Sequence, residues 1–152
     1  DLAQIGIKAE IKSLAQANVI AAGGDEAQST MIWSGGMAWI ADYPDPSDFY
    51  GPILGCGGAV PGGWNWSWYC NPDLEKQAAA ADAMADPAQA KERDAKWQGI
   101  FEAIMKDAPW APVFNQQQYT LRSARIGGDD SLFVDPVHIP INFDNVYAKD
   151  VQ

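Results

Sequence analysis

The chain has 152 residues, 47% hydrophobic and 20% charged, with a formal net charge of −10. Length and composition describe one ordinary folded domain with enough apolar residue to bury a core, and exclude a disordered acidic chain. The acidic surplus disfavours phosphate-backbone partners, and the longest apolar runs fall far short of the roughly 20 residues a membrane-spanning helix needs.

Leu2 and Ile5 fit the end of a helix, with Gly6 as its stop. Residues 7–12 alternate apolar and polar, the pattern of a half-buried strand. Residues 15–22 predict a short helix ending at Gly23-Gly24, and a polar loop follows to Ser29. Residues 30–34 predict a second strand. It leads into Met31-Ile-Trp-Ser-Gly-Gly-Met-Ala-Trp-Ile-Ala-Asp-Tyr-Pro-Asp-Pro46, where an apolar run passes two glycines and ends in an aromatic, a carboxylate and a turn.

Asp45-Pro46 predicts a helix start, with the aspartate as cap, running to about residue 54. Asn71-Pro72 and Asp86-Pro87 repeat the device and predict helices to about residues 85 and 106. On the last, Ala90, Arg93, Trp97, Ile100, Phe101 and Ile104 recur at helical spacing, so one face is expected in the core. Pro109 ends it. Lys91, Glu92 and Arg93 read as a solvated face carrying at most a weak ion pair.

Residues 112–114 and 118–123 read as strands, 127–130 as a turn, and 132–134 and 138–143 as short extended pieces. Interleaved strands and helices argue for an α/β fold. The last thirty residues lack a helical period and read as segments that pack onto something else.

Cys56 and Cys70 are the only cysteines and flank a glycine-rich loop. One disulfide is the simplest reading. It implies an oxidising compartment and a stabilisation of roughly 3 kcal/mol from loop closure. Two buried thiols remain the alternative; a single histidine, His138, and no second cysteine pair speak against zinc. No nucleophile constellation is apparent, and the glycine pairs match no phosphate-binding template. Asp42, Asp45 and Asp48 could be read as glycosidase carboxylates or as a calcium loop. Asp45 and Asp48 already have uses at a helix start, however, and the spacing is not that of an EF-hand. Asp42 is left over. Trp64, Trp66 and Trp68 alternate, which would set three indoles on one face of an extended segment, against the core or along a cleft. The methionines read as core filler.

The order of these features resembles the C-terminal part of the peptide/nickel-type solute-binding proteins of ABC importers, nearest the dipeptide- and oligopeptide-binding branch. The residues that carry the resemblance are the Ile-Gly-Ile-Lys strand, Trp-Ile-Ala-Asp-Tyr-Pro-Asp-Pro, the Cys…Trp-Tyr-Cys loop, Arg93 and the helix end Asp107-Ala108-Pro109. The resemblance implies a type II periplasmic-binding-protein-like α/β fold, seen here as a piece of a longer two-lobed protein. Residues 1–117 would be most of the second lobe, 118–126 a hinge crossing, and 127–152 a tail belonging to the first lobe.

It further implies an extracytoplasmic, periplasmic or lipid-anchored receptor that catalyses no reaction. Its partners would be ABC permease subunits and the remainder of the same protein. Asp42 would pair with the α-ammonium of a peptide, beside the aromatic Trp39. The backbone of Trp39, Ile40 and Ala41 would add the ligand like a strand. Trp33, Asn65 and Trp66 complete the candidate ligand contacts. Cys56 and Cys70 match a disulfide of dipeptide-binding relatives. No cofactor and no metal are expected. Two other functions stand beside this one: the same module binding an oligosaccharide or other small solute on the tryptophan-rich loop, and, more remotely, a secreted glycoside hydrolase.

Overall fold

The computed structural model describes residues 2–29, 39–112, 119, 121–128 and 143–149. Its body is a block of three helices. Helix α2 spans Ser47–Ile53, α3 spans Pro72–Asp82 and α4 spans Ala90–Asp107; a further short helix, α1, spans Gln16–Gly23.

Two of the three predicted proline starts carry the expected cap; the third helix, α2, begins at Ser47, one residue after Pro46, with the Asp45 carboxylate accepting the Ser47 N–H. The Asn71 side chain accepts hydrogen bonds from the Asp73 and Leu74 N–H groups, with Pro72 in the first turn of α3. The Asp86 carboxylate accepts from the Ala88 N–H, and a 3-10 turn over Pro87–Gln89 runs into α4. Each cap satisfies amide groups that the first helical turn leaves without carbonyl partners. Helix α3 stops at Asp82, about three residues early. Helix α4 ends as expected: Ala108 turns left-handed (φ 53°) and Pro109 cannot continue the helix.

These helices share one core. Tyr50, Ile53 and Leu54 come from α2 and its end, Leu74, Ala78 and Ala81 from α3, and Trp97, Ile100 and Ile104 from α4. Trp97 lies between Tyr50 and Phe101, with ring centroids 5.7 and 6.2 Å away. Burying each such large side chain contributes roughly 1.5–3 kcal/mol. Helix α4 therefore inserts the face its spacing predicts, although Ala90 at its start stays exposed.

Helix α1 is tied to the loop that follows α2. Gly62 donates its N–H to the Gly24 carbonyl at 2.8 Å, and Trp68 donates its indole N–H to the Gly23 carbonyl at 3.1 Å. A Cβ on Gly23 would lie 2.5 Å from the Trp66 ring, so only glycine permits this approach.

Residues 7–12 are not a strand. Leu2–Ile5 forms a 3-10 turn closed by Gly6 at positive φ, and the chain beyond it is exposed, Ile11 at 93%. Alternation makes a strand amphipathic but does not supply the neighbour its backbone needs, and no described residue pairs there. Of the expected strand at 118–123, Tyr119 and residues 121–123 are irregular; 118 and 120 lie outside the described residues. So do the expected strand at 30–34, most of that at 112–114, the piece at 132–134 and all but Phe143 of that at 138–143. Among the described residues the only strands are β1 (Ile126–Gly127) and β2 (Tyr147–Ala148), paired antiparallel with Ile126 opposite Ala148. Gly127, expected in a turn, is thus in β1. No helix among the described residues is long and apolar enough to cross a membrane.

Candidate ligand-binding site

The segment 39–48 is shaped by where its three carboxylates go. Asp48 is buried, 3% exposed, and its Oδ2 accepts the Asp42 backbone N–H at 2.7 Å. Asp45 was expected only as a cap, and it does accept the Ser47 N–H (2.9 Å) and Oγ–H (2.7 Å). Its principal partner is Arg93 of α4, whose guanidinium meets both carboxylate oxygens, Nη1 to Oδ2 at 2.6 Å and Nη2 to Oδ1 at 2.8 Å. That hydrogen-bonded pairing, helped by Ser47 and opposed by partial burial, holds the Asp45 carboxyl at a pKa of about 2. Arg93 is correspondingly raised, first by the same bond. The solvated helix face expected at Arg93 is therefore corrected. The residue is half-buried because its planar fork matches a carboxylate 48 positions away.

Asp42 is the remaining carboxylate. It is exposed, and its side chain has no partner among the described residues. Its neighbours alternate: Trp39 is half-buried against the core, Ile40 is 73% exposed, Ala41 is buried and Asp42 is exposed. The segment thus offers outward side chains at 40 and 42, with the buried Ala41 between them.

The loop after α2 is built the opposite way. Cys56 and Cys70 form the expected disulfide, with Cα atoms 4.5 Å apart. Asn65 is fully buried and donates both amide hydrogens, to the Gly55 carbonyl (2.9 Å) and the Tyr69 carbonyl (2.8 Å). Its Oδ1 accepts from Ser67 Oγ at 2.7 Å. Here Asn65 holds the loop closed and presents nothing outward. Glu75 accepts from the Tyr50 hydroxyl (2.8 Å) and the Cys56 N–H (2.7 Å). Burial first, then that carboxylate, push the Tyr50 phenol far above its ordinary pKa. The Tyr69 hydroxyl and the Asn71 amide both donate to Asp107 at 2.5 and 3.1 Å, which holds its carboxyl below the usual value and joins the end of α4 to the start of α3.

The three alternating tryptophans do not share a face. Trp64 and Trp66 stack at 5.7 Å, and Trp39 meets Trp64 edge-on at 6.2 Å. Trp68 adopts φ 53° and turns its indole to α1. The bends at residues 64–67 break the period-two pattern. The structure thus brings Trp39, Trp64 and Trp66 together, with Trp64 the exposed ring of the three. Trp33 lies outside the described residues. The indole N–H groups of Trp39 and Trp66 are buried without a hydrogen-bond partner among the described residues.

Beside the segment runs an open apolar groove of about 630 Å³, whose lining includes Ala41, Tyr43, Phe49, Phe101, Met105 and Trp110. Asp48 and Arg93 are the site-shaping residues that sequence patterning missed. Asp48 could be suspected only from its place in a first helical turn; the helical period sets Arg93 on the inward face of α4 but does not show its partner.

No family model matches the chain. Among curated proteins it is 28% identical over 128 residues to a probable di/tripeptide-binding protein 5 of Pseudomonas aeruginosa. It is 27% identical over 131 residues to the glutathione-binding protein GsiB of Salmonella typhi, and 25% over 129 residues to the peptide transport periplasmic protein SapA of Haemophilus influenzae. Each match covers 84% of this chain and 22–24% of the relative, so the chain spans about a quarter of the relatives' length. Among solved structures it superposes on the ABC transporter-associated periplasmic binding protein DppA from Helicobacter pylori in complex with peptide STSA. The TM-score is 0.67 at 23% identity, covering 98% of this chain and 27% of that one. The fold is that of part of a type II periplasmic binding protein. The sequence similarity is to peptide-type solute-binding proteins, as the motifs of the first subsection imply.

Proposed function

We propose that this chain is part of the extracytoplasmic ligand-binding component of an ABC importer, and that Asp42 receives the α-ammonium of a bound peptide. One observation supports this reading above the others. Of three neighbouring carboxylates, two are used inside the fold and Asp42 alone is turned outward, close to the exposed Ile40. A cation enclosed in a cleft needs such a partner, because an unpaired ion there is expensive. The Trp39–Ala41 backbone next to it suits strand-like addition of a peptide.

In this reading residues 1–117 belong to the second lobe, 118–126 cross the hinge and 127–152 return to the first lobe. Ligand binding closes the lobes, and the closed form docks on permease subunits. The protein carries out no reaction. The apolar groove beside residues 41–46 fits a segment that packs against further protein of the same molecule. It works outside the cytoplasm, in the periplasm or on a lipid anchor, where the Cys56–Cys70 disulfide is at home.

Calorimetry on the full-length protein with a peptide panel tests the reading. Asp42→Ala or N-acetylation of the ligand should each weaken binding about 30-fold or more, the loss expected when one partner of an enclosed charged pair is removed. Unchanged affinity in both would show that the ammonium is held elsewhere.

Trp64 favours a second reading. Its exposed ring, stacked on Trp66, could support a sugar instead of a peptide side chain. Saturable quenching of tryptophan fluorescence by an oligosaccharide, absent with peptides, would select that ligand class. A glycosidase using Asp42 and Asp45 is disfavoured because both Asp45 oxygens are engaged by Arg93 and one also by Ser47, which leaves Asp42 without a second available carboxylate beside it.

A further inference from the structure

The ammonium site has a hidden support on α4. Arg93 touches four groups at once. It grips Asp45 with both terminal nitrogens, donates Nε–H to the Ala81 carbonyl at 3.2 Å, reaches Asp82 Oδ1 at 3.3 Å, and lies 5.9 Å from the centroid of the Trp97 ring. One side chain therefore ties the end of α3, the core face of α4 and the segment that carries Asp42.

The link to Asp42 runs through short, directional steps. Asp45 is flanked by Pro44 and Pro46, which restrict its backbone. Its N–H donates to the Tyr43 carbonyl at 2.9 Å, and its carbonyl accepts the Asp48 N–H at 3.1 Å. The Asp48 carboxylate then holds the N–H of Asp42. The Asp42 side chain is exposed and has no hydrogen-bond partner among the described residues, while its backbone is held by this chain of bonds.

Resting on the peptide reading above, we infer that Arg93 is a positioning residue for ligand binding: by clamping Asp45 it sets the turn that aims the Asp42 carboxylate at the ligand's ammonium. Lysine cannot replace it fully, because a single ammonium cannot engage both oxygens of Asp45 while also reaching Ala81 and Asp82.

The test compares two dissociation constants in the full-length protein, for one peptide with a free amino terminus and for its N-acetylated form. Their ratio reports ammonium recognition alone. Wild type should discriminate about 30-fold or more. Arg93→Met should reduce that ratio at least about fivefold while the N-acetylated peptide binds within about twofold of wild type. Arg93→Lys should recover part of the ratio. Asp45→Asn, which leaves Arg93 its contacts to Ala81 and Asp82, should behave like Arg93→Met and serves if that variant fails to fold. Circular dichroism and a thermal melt establish folding for each. A merely structural role would weaken both ligands equally or leave the ratio unchanged, and either result overturns the inference. A wild-type ratio near one would instead defeat the ammonium reading itself, and this inference with it.

Discussion

Two segments of this chain use their polar groups in opposite ways. The loop between Cys56 and Cys70 has three tryptophans, a buried amide and a disulfide, and its polar groups turn inward: Asn65 to Gly55, Tyr69 and Ser67, and Trp68 to Gly23. The segment 39–48 has one tryptophan and three aspartates, and it spends two aspartates on itself while leaving the third outside. In the proposed reading the contrast separates scaffold from site. A buried polar group that completes its hydrogen bonds serves the fold. An exposed carboxylate on an edge held by other carboxylates is available to something else.

If the first loop and the helices beneath it are scaffold, breaking them should cost stability first. The largest effect is expected from Trp97→Ala, which empties the space between Tyr50 and Phe101 and should destabilise by about 3–5 kcal/mol in a denaturant titration. Asn65→Ala comes next. It strands the Gly55 and Tyr69 carbonyls and should cost about 1–3 kcal/mol, yet leave peptide affinity per folded molecule unchanged. A selective loss of affinity would move Asn65 from scaffold to site.

Asp45 sits on the border. Its carboxyl is lowered in the fold to about 2, so its stabilisation is complete above the ordinary aspartate range, near pH 4, and fades as pH falls toward 2. With the Asp45 side chain about a quarter exposed (26%), solvent screening leaves this at about 1 kcal/mol. Wild type should show that loss between pH 4 and 2, and Asp45→Asn should lack it; acid melts of the two check this. The smallest stability effect belongs to Asp42→Asn, expected within about 0.5 kcal/mol of wild type because the side chain is exposed and unpaired among the described residues. A large destabilisation there would erase the contrast between the two segments.

How much of this could be read before any coordinates follows the range of each interaction. The starts of α3 and α4 were legible because Asn71-Pro72 and Asp86-Pro87 act within three residues. The buried face of α4 was legible from its period. The disulfide was legible because two cysteines permit one pairing. Long-range contacts left no such mark. Arg93 and Asp45 are 48 residues apart, and although the period sets Arg93 on the inward face of α4, nothing local names the carboxylate it meets. The tryptophan alternation misled because a turn at residues 64–67, not a strand, carries it. Residues 7–12 misled for a related reason: alternation describes a strand's faces and is silent about its edges. At Asp42 the residue itself was ambiguous. Its family-like setting promoted it; the structure adds that Asp45 and Asp48 turn inward while Asp42 stays exposed, and its role as ligand residue is the proposal.

The most direct measurement is a crystal structure of the full-length protein with a bound peptide. The distance to read is from the ligand's terminal nitrogen to the Asp42 carboxylate. About 2.7–3.0 Å, with Arg93 still on Asp45, is the predicted result. An ammonium held by a different carboxylate, with Asp42 left in solvent, would contradict it.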